Sequence, residues 1–130
     1  MKQPLMLCYN MDGERMRAMR MAAMRLKIRV RPVEKGEYGL TLGALCGLEE
    51  AGEAPAVEDF GQEMLVMAFF PAGMMNALLQ TMRRMRVAPV ELKAVLTPTN
   101  AAWDSSRLCG EIAREHAAMA GGAASVHEEL

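Results

Sequence analysis

Cys8 stands near the end of the short apolar run Leu5–Tyr9, which leads into the loop Asn10-Met11-Asp12-Gly13. A cysteine between a strand and a helix is where a phosphatase keeps its nucleophile. That chemistry needs a thiolate stabilised by a helix N-terminus and an arginine to hold phosphate. Glu14 stands where that arginine is required, Arg15 comes one place later, and Asp12 and Glu14 would repel the anion. The position reads as a core cysteine. The same loop has one glycine and an acid, the wrong composition to cradle a diphosphate.

His116 and His127 are the only histidines, and no Cys-x-x-Cys or His-x-x-x-His pair is present. No metal ligand set, Ser-His-Asp arrangement or cofactor motif can be assembled from them. The sequence therefore assigns no catalytic, cofactor or metal residue. Methionine is the oddity, at 14 residues, while isoleucine appears twice. Thioether clusters hold Cu(I), but here Met substitutes for Leu and Ile in a core. Met21 and Met24 are different. They fall among Arg17 and Arg25, opposite the apolar stripe of their helix, and are expected to form a partner or dimer interface.

Thr97-Pro98-Thr99-Asn100-Ala101-Ala102-Trp103-Asp104 carries the single tryptophan between a strand signal and a helix signal. On the structural reading, Asn100 closes an Asx turn, Asp104 caps the helix and Trp103 pins it to the sheet. On the functional reading, Asn10, Thr97, Thr99, Asn100 and Trp103 meet at the carboxyl edge of a parallel sheet, where α/β proteins bind ligands.

The elements that must position these residues repeat. Leu5–Tyr9 and Met64–Phe70 are unbroken apolar runs, read as strands buried on both faces. Ile28 and Val30, and then Val90, Leu92, Ala94 and Leu96, alternate with charged residues as edge strands do. Between the members of each pair runs a helical stripe: Met16, Met19, Ala23 and Leu26, then Met75, Leu78, Leu79 and Met82. Asp12 and Pro71 occupy their starts, and a further helix follows each edge strand from Thr41 and Asp104. Met6, Met16 and Met19 match Leu65, Met75 and Leu78 at an offset of 59, and Leu45-Cys46-Gly47 recurs 63 positions on.

The expected fold is α/β: one four-stranded sheet covered by helices on both faces, βαβα repeated twice, with parallel order 2-1-3-4. The alternative is a ferredoxin-like order 4-1-3-2 with extra helices, in which the third strand runs antiparallel to the first. Residues 1–120 are expected to form one domain, with an acidic linker over 49–62 and a disordered tail over 121–130.

Nine Lys and Arg face three acids over residues 1–36, and seven acids stand without a cation over 37–63. The overall charge of −1 argues against a nucleic-acid binder and for two segments that neutralise each other. No apolar run approaches the ~20 residues of a membrane span. The five-residue run after Lys2 is too short for a signal peptide. Three widely spaced cysteines suit reduced thiols in the cytoplasm.

Lys93-Ala94-Val95-Leu96-Thr97-Pro98-Thr99-Asn100, with Trp103 and a helix through Glu115-His116, resembles the C-terminal signature of a bacterial family, domain of unknown function 3783. Leu7 to Asn10 and the helix start at Thr41-Leu42-Gly43 are similar to its other features, so the resemblance extends over most of residues 4–119. Cys109-Gly110 departs from the helix-forming residues of that pattern. The resemblance implies a small bacterial cytoplasmic protein and brings no activity or catalytic residue. The expected function is a non-catalytic binding, regulatory or protein-interaction module, self-associating or with a protein partner. The alternative is a small-molecule site, conceivably enzymatic, at the carboxyl edge of the sheet.

Overall fold

The computed structural model describes residues 2–118 and 126–127. Strands β1 (Leu5–Tyr9), β2 (Arg29–Val33), β3 (Met64–Ala68), β4 (Leu92–Val95) and β5 (Val126–His127) form one sheet in the order β2-β1-β3-β4-β5. Helices α1 (Gly13–Arg25), α2 (Leu42–Leu45), α3 (Met74–Arg84) and α4 (Ser105–Ala118) follow the first four strands in turn. All ten residues of β1 and β3 are buried, which puts these two strands at the centre, as their apolar runs require. Leu5, Leu7, Tyr9, Met64, Val66 and Ala68 point to the side covered by α2 and α4. Met6, Cys8, Leu65 and Met67 point to the side covered by α1 and α3.

The strand order agrees with the sequence reading, but the sheet is mixed rather than parallel. β1 pairs parallel with β2, and β3 with β4, whereas β1 and β3 run antiparallel. The reason lies in the repeat. α1 and α3 pack on the same face, yet β2 and β4 lie on opposite sides of the central pair. Two crossovers of one hand, with helices on one face, step to opposite sides only if their first strands run in opposite directions. The reversal belongs to the ferredoxin-like alternative; the order does not.

The central register makes the repeat a local two-fold. Leu7 pairs with Val66, its counterpart at the offset of 59. The left-handed residues obey the same offset: Asn10 (φ 60°) matches Phe69 (φ 62°), and Lys27 (φ 58°) matches Arg86 (φ 60°). The last pair ends α1 and α3 in identical fashion. The Lys27 and Ile28 N–H groups donate to Met24 and Ala23 carbonyls, and those of Arg86 and Val87 donate to Arg83 and Met82. Each is a Schellman turn, with Ile28 and Val87 folded back onto the core. Past Val87 the offset lengthens to 63, so the second half carries four extra residues before its edge strand.

Asp12 caps α1 through the Arg15 N–H at 2.8 Å, as expected. α3 begins later than Pro71 suggests, behind Gly73 at φ 86°, with Met74 N–H bonded to the Pro71 carbonyl. Thr41 and Asp104 cap α2 and α4, and these two caps form an antiparallel bridge over the α2/α4 face. Gly39 meets the backbone of Pro55 so closely that a Cβ there would collide with it. Val57 and Phe60 of the acidic connection pack on the same core. β4 is not the wet edge its alternation implies: β5 flanks it, and Lys93 is 9% exposed. β2 does lie at the rim, with Arg29 and Pro32 exposed as blunting residues. The expected disordered tail over 121–130 lies outside the described residues except for β5.

Each Schellman turn holds a non-glycine residue at φ near +60°, a conformation that L side chains disfavour by about 1–2 kcal/mol. Lys27→Gly and Arg86→Gly should each stabilise the fold by about 0.5–1 kcal/mol once the larger entropy of the unfolded glycine chain is subtracted. Urea denaturation should show the midpoint rising with the slope unchanged.

Candidate functional site

Asn10 leaves β1 in the left-handed conformation, which turns its side chain back onto the sheet end. Its amide donates to the Phe60 carbonyl at 3.0 Å and the Gln62 carbonyl at 2.9 Å. Its oxygen accepts from Lys35 Nζ at 3.3 Å and Tyr38 Oη at 3.1 Å. Both amide protons and both lone pairs are therefore engaged. Tyr38 stacks on Phe60 with ring centroids 4.4 Å apart, and Tyr9 tilts against both. Tyr9 Oη meets Ser105 Oγ at 2.7 Å, so this buried phenol is satisfied. Lys35 also pairs with Asp59 at 3.1 Å, and Ser106 donates to the Glu58 carbonyl. Asn10 thus clamps the acidic connection across the ends of β1 and β2. A cleft of about 390 Å³ opens beside it, lined by Cys8, Met16, Pro32, Lys35 and Tyr38.

The other expected pocket residues lie elsewhere. Tyr9 pairs with Met64, while Val95 pairs with Met67, so Asn10 and Thr97 leave opposite ends of the sheet. The antiparallel centre thereby removes the shared carboxyl edge that would have joined Asn10 to Thr97, Thr99, Asn100 and Trp103. Those four form one local turn instead. The Asn100 oxygen accepts the Thr97 N–H at 2.8 Å, Thr97 Oγ1 accepts the Asn100 N–H at 3.0 Å, and the Asn100 amide donates to the Val95 carbonyl. Thr99 is exposed beside this turn. Trp103 N–H donates to the Asn100 carbonyl, and its own carbonyl takes the Leu42 N–H at 2.9 Å. The Trp103 ring rests on the α2/α4 core with the Arg107 guanidinium 4.4 Å from its centroid.

All three thiols are buried and unbonded to one another. Burial pushes the Cys8 thiol up to about 12 against the opposing charges of Arg20 and Arg15, and Cys46 up to about 11. Cys109 is raised by the same desolvation. A neutral thiol is a poor nucleophile, so this sheet end lacks the activated cysteine that phosphate chemistry needs. Arg15, the misplaced phosphate arginine, has a different task. Its Nε and Nη2 grip Glu63 at 3.0 Å each, while Nη1 and Nη2 donate to the Ala88 and Pro89 carbonyls. With Lys35–Asp59, this pair joins the basic first segment to the acidic connection.

Met21 is 50% exposed and Met24 73% exposed on α1. Arg17, Arg20 and Arg25 surround them without an ion pair among the described residues. Arg83 and Arg84 at the end of the neighbouring α3, and Arg86 in the turn after it, extend the positive charge. Exposed Glu49, Glu50, Glu53 and Glu58 lie on the connection that packs on the α2/α4 side. Charge is therefore sorted across the sheet as well as along the chain. Sequence reasoning missed Tyr38, Phe60 and Lys35, whose only local signal is a lone pair of aromatics in otherwise polar connections.

Residues 63–119 match the family model described as Domain of unknown function (DUF3783). The match runs from β3 through α4, the second repeat, and is narrower than the resemblance over 4–119. No curated protein and no solved structure matches the chain.

Removing the Asn10 clamp should cost about 1–3 kcal/mol. Asn10→Gly keeps the left-handed backbone, so Asn10→Ala should be worse by roughly 1 kcal/mol in urea denaturation. The thiols set a pH limit. Cys8 holds its proton more tightly when folded than at its ordinary 9.0, so its contribution is intact below that pH and fades as pH climbs toward the folded value. Denaturation between pH 8 and 11 should show stability level at first and then falling, with Cys8→Ala flattening part of the decline.

Proposed function

We propose that the protein is a non-catalytic cytoplasmic binding module that docks an acidic protein surface through α1. One observation carries this reading: Met21 and Met24 stand exposed among arginines that make no ion pair among the described residues. Methionine gives an adaptable apolar contact, and arginine is the cation best suited to interfaces, because its planar fork is weakly hydrated. The polar groups of Asn10, Thr97 and Asn100 in the expected ligand pocket are occupied by the fold itself, which weighs against a reactive site there. Buried, unpaired thiols support a reducing compartment.

A second copy offers such a surface. Glu49, Glu50, Glu53 and Glu58 are exposed, and none makes an ion pair among the described residues. Pairing a basic face with an acidic one on the next molecule is a head-to-tail contact, which propagates rather than closing as a two-fold dimer.

Sedimentation velocity at rising concentration should show association that weakens with added salt. Met21→Glu and Met24→Glu should abolish it while shifting stability by no more than about 0.5 kcal/mol, as exposed positions do. A wild type that stays monomeric at every concentration and salt would refute the self-association.

A further inference from the structure

We infer that the cleft between the end of α3 and the start of β4 binds a small organic carboxylate with an apolar body. The cleft is open to solvent and offers about 510 Å³, within the range of small-ligand pockets. Leu79, Met82, Val87 and Pro89 give it apolar walls, and three cations, Arg83, Arg86 and Lys93, contribute to its lining.

Lys93 is the unusual member. It points to the α1/α3 side of β4, opposite its neighbours Leu92 and Ala94, which face the other layer. The residue is 9% exposed, and among the described residues its ammonium makes one hydrogen bond, to the Val90 carbonyl at 2.6 Å. It has no ion pair among the described residues. An ammonium carries three donors, and a desolvated charge with no carboxylate in contact is unfavourable. Burial accordingly pushes this amine below its ordinary range, with Glu91 opposing. A carboxylate in the cleft would place a counterion directly against this buried ammonium.

The fold itself does not call for a lysine here. At the offset of 63, the first half places Val30 at the equivalent position on β2. The four extra residues that distinguish the second half build the cleft wall at Ala88 and Pro89. That wall is fixed in advance: Arg15 holds both carbonyls, at 2.6 Å and 3.3 Å, and the Arg86 turn fixes Val87. A preformed wall spares the ligand the entropy of ordering it.

The test titrates the full chain with octanoate, following methyl signals by NMR. 1-Octanol serves as the uncharged probe and inorganic phosphate as the anion without an apolar body. Octanoate should shift the Met82 and Val87 methyls, leave Met21 and Met24 unmoved, and bind at least roughly tenfold tighter than either control. Lys93→Met should weaken octanoate by at least about tenfold, the loss expected for one charge-assisted hydrogen bond. It should not lower the urea midpoint, since the other half tolerates valine at this position. Equal octanoate affinity in Lys93→Met, phosphate binding as tight as octanoate, or shifts at Met21 in place of Met82 would each overturn the assignment. The methyl map is read on the wild type, so it decides the question even if the variant folds poorly.

Discussion

Everything in this chain hangs on the antiparallel contact between β1 and β3. Each strand is buried on both faces, so neither can stand at a rim without exposing apolar side chains to water. Centring the register on Leu7 and Val66 lets two similar βαβα units meet through the same edge. It also places α1 beside α3 on one face and α2 with α4 on the other. The positions of the clamp, the turn and the cleft all follow from that one reversal of direction.

Much of this could be read from residue pattern. The unbroken runs identified the central strands, the period of three and four identified α1 and α3, and the offset of 59 identified the repeat. Strand direction could not be read, because side chains alternate with a period of two in parallel and antiparallel sheets alike. That gap propagated into the site. Asn10 and Thr97 share an edge only if β1 and β3 run the same way, and they do not. Asn100 and Asp104 behave as their local chemistry dictates, since an Asx turn and a helix cap depend on near neighbours alone.

Lys93 shows a different limit. Alternation correctly put it on the face opposite Leu92 and Ala94, but alternation says nothing about whether that face is wet. Its burial depends on α3 and on a loop held by Arg15 of the neighbouring α1, contacts 73 and 74 residues apart. Asn10 is similar: its partners Phe60 and Gln62 lie 50 and 52 positions away, and only folding brings them together. The charge segregation was visible along the chain, yet three bridges consume a minority of it, and what remains is sorted between the two helix layers.

The two-fold about Leu7 and Val66 carries a consequence for how the halves hold together. The edge that β1 presents to β3 is, position for position, the edge that β3 presents to β1. Such self-complementary ribbons are what symmetric dimers use to recognise their own kind. Tethering them in tandem through residues 49–62 turns an encounter between molecules into one within a molecule. The effective concentration is then fixed by tether length rather than by abundance, so the sheet stays closed however dilute the protein becomes.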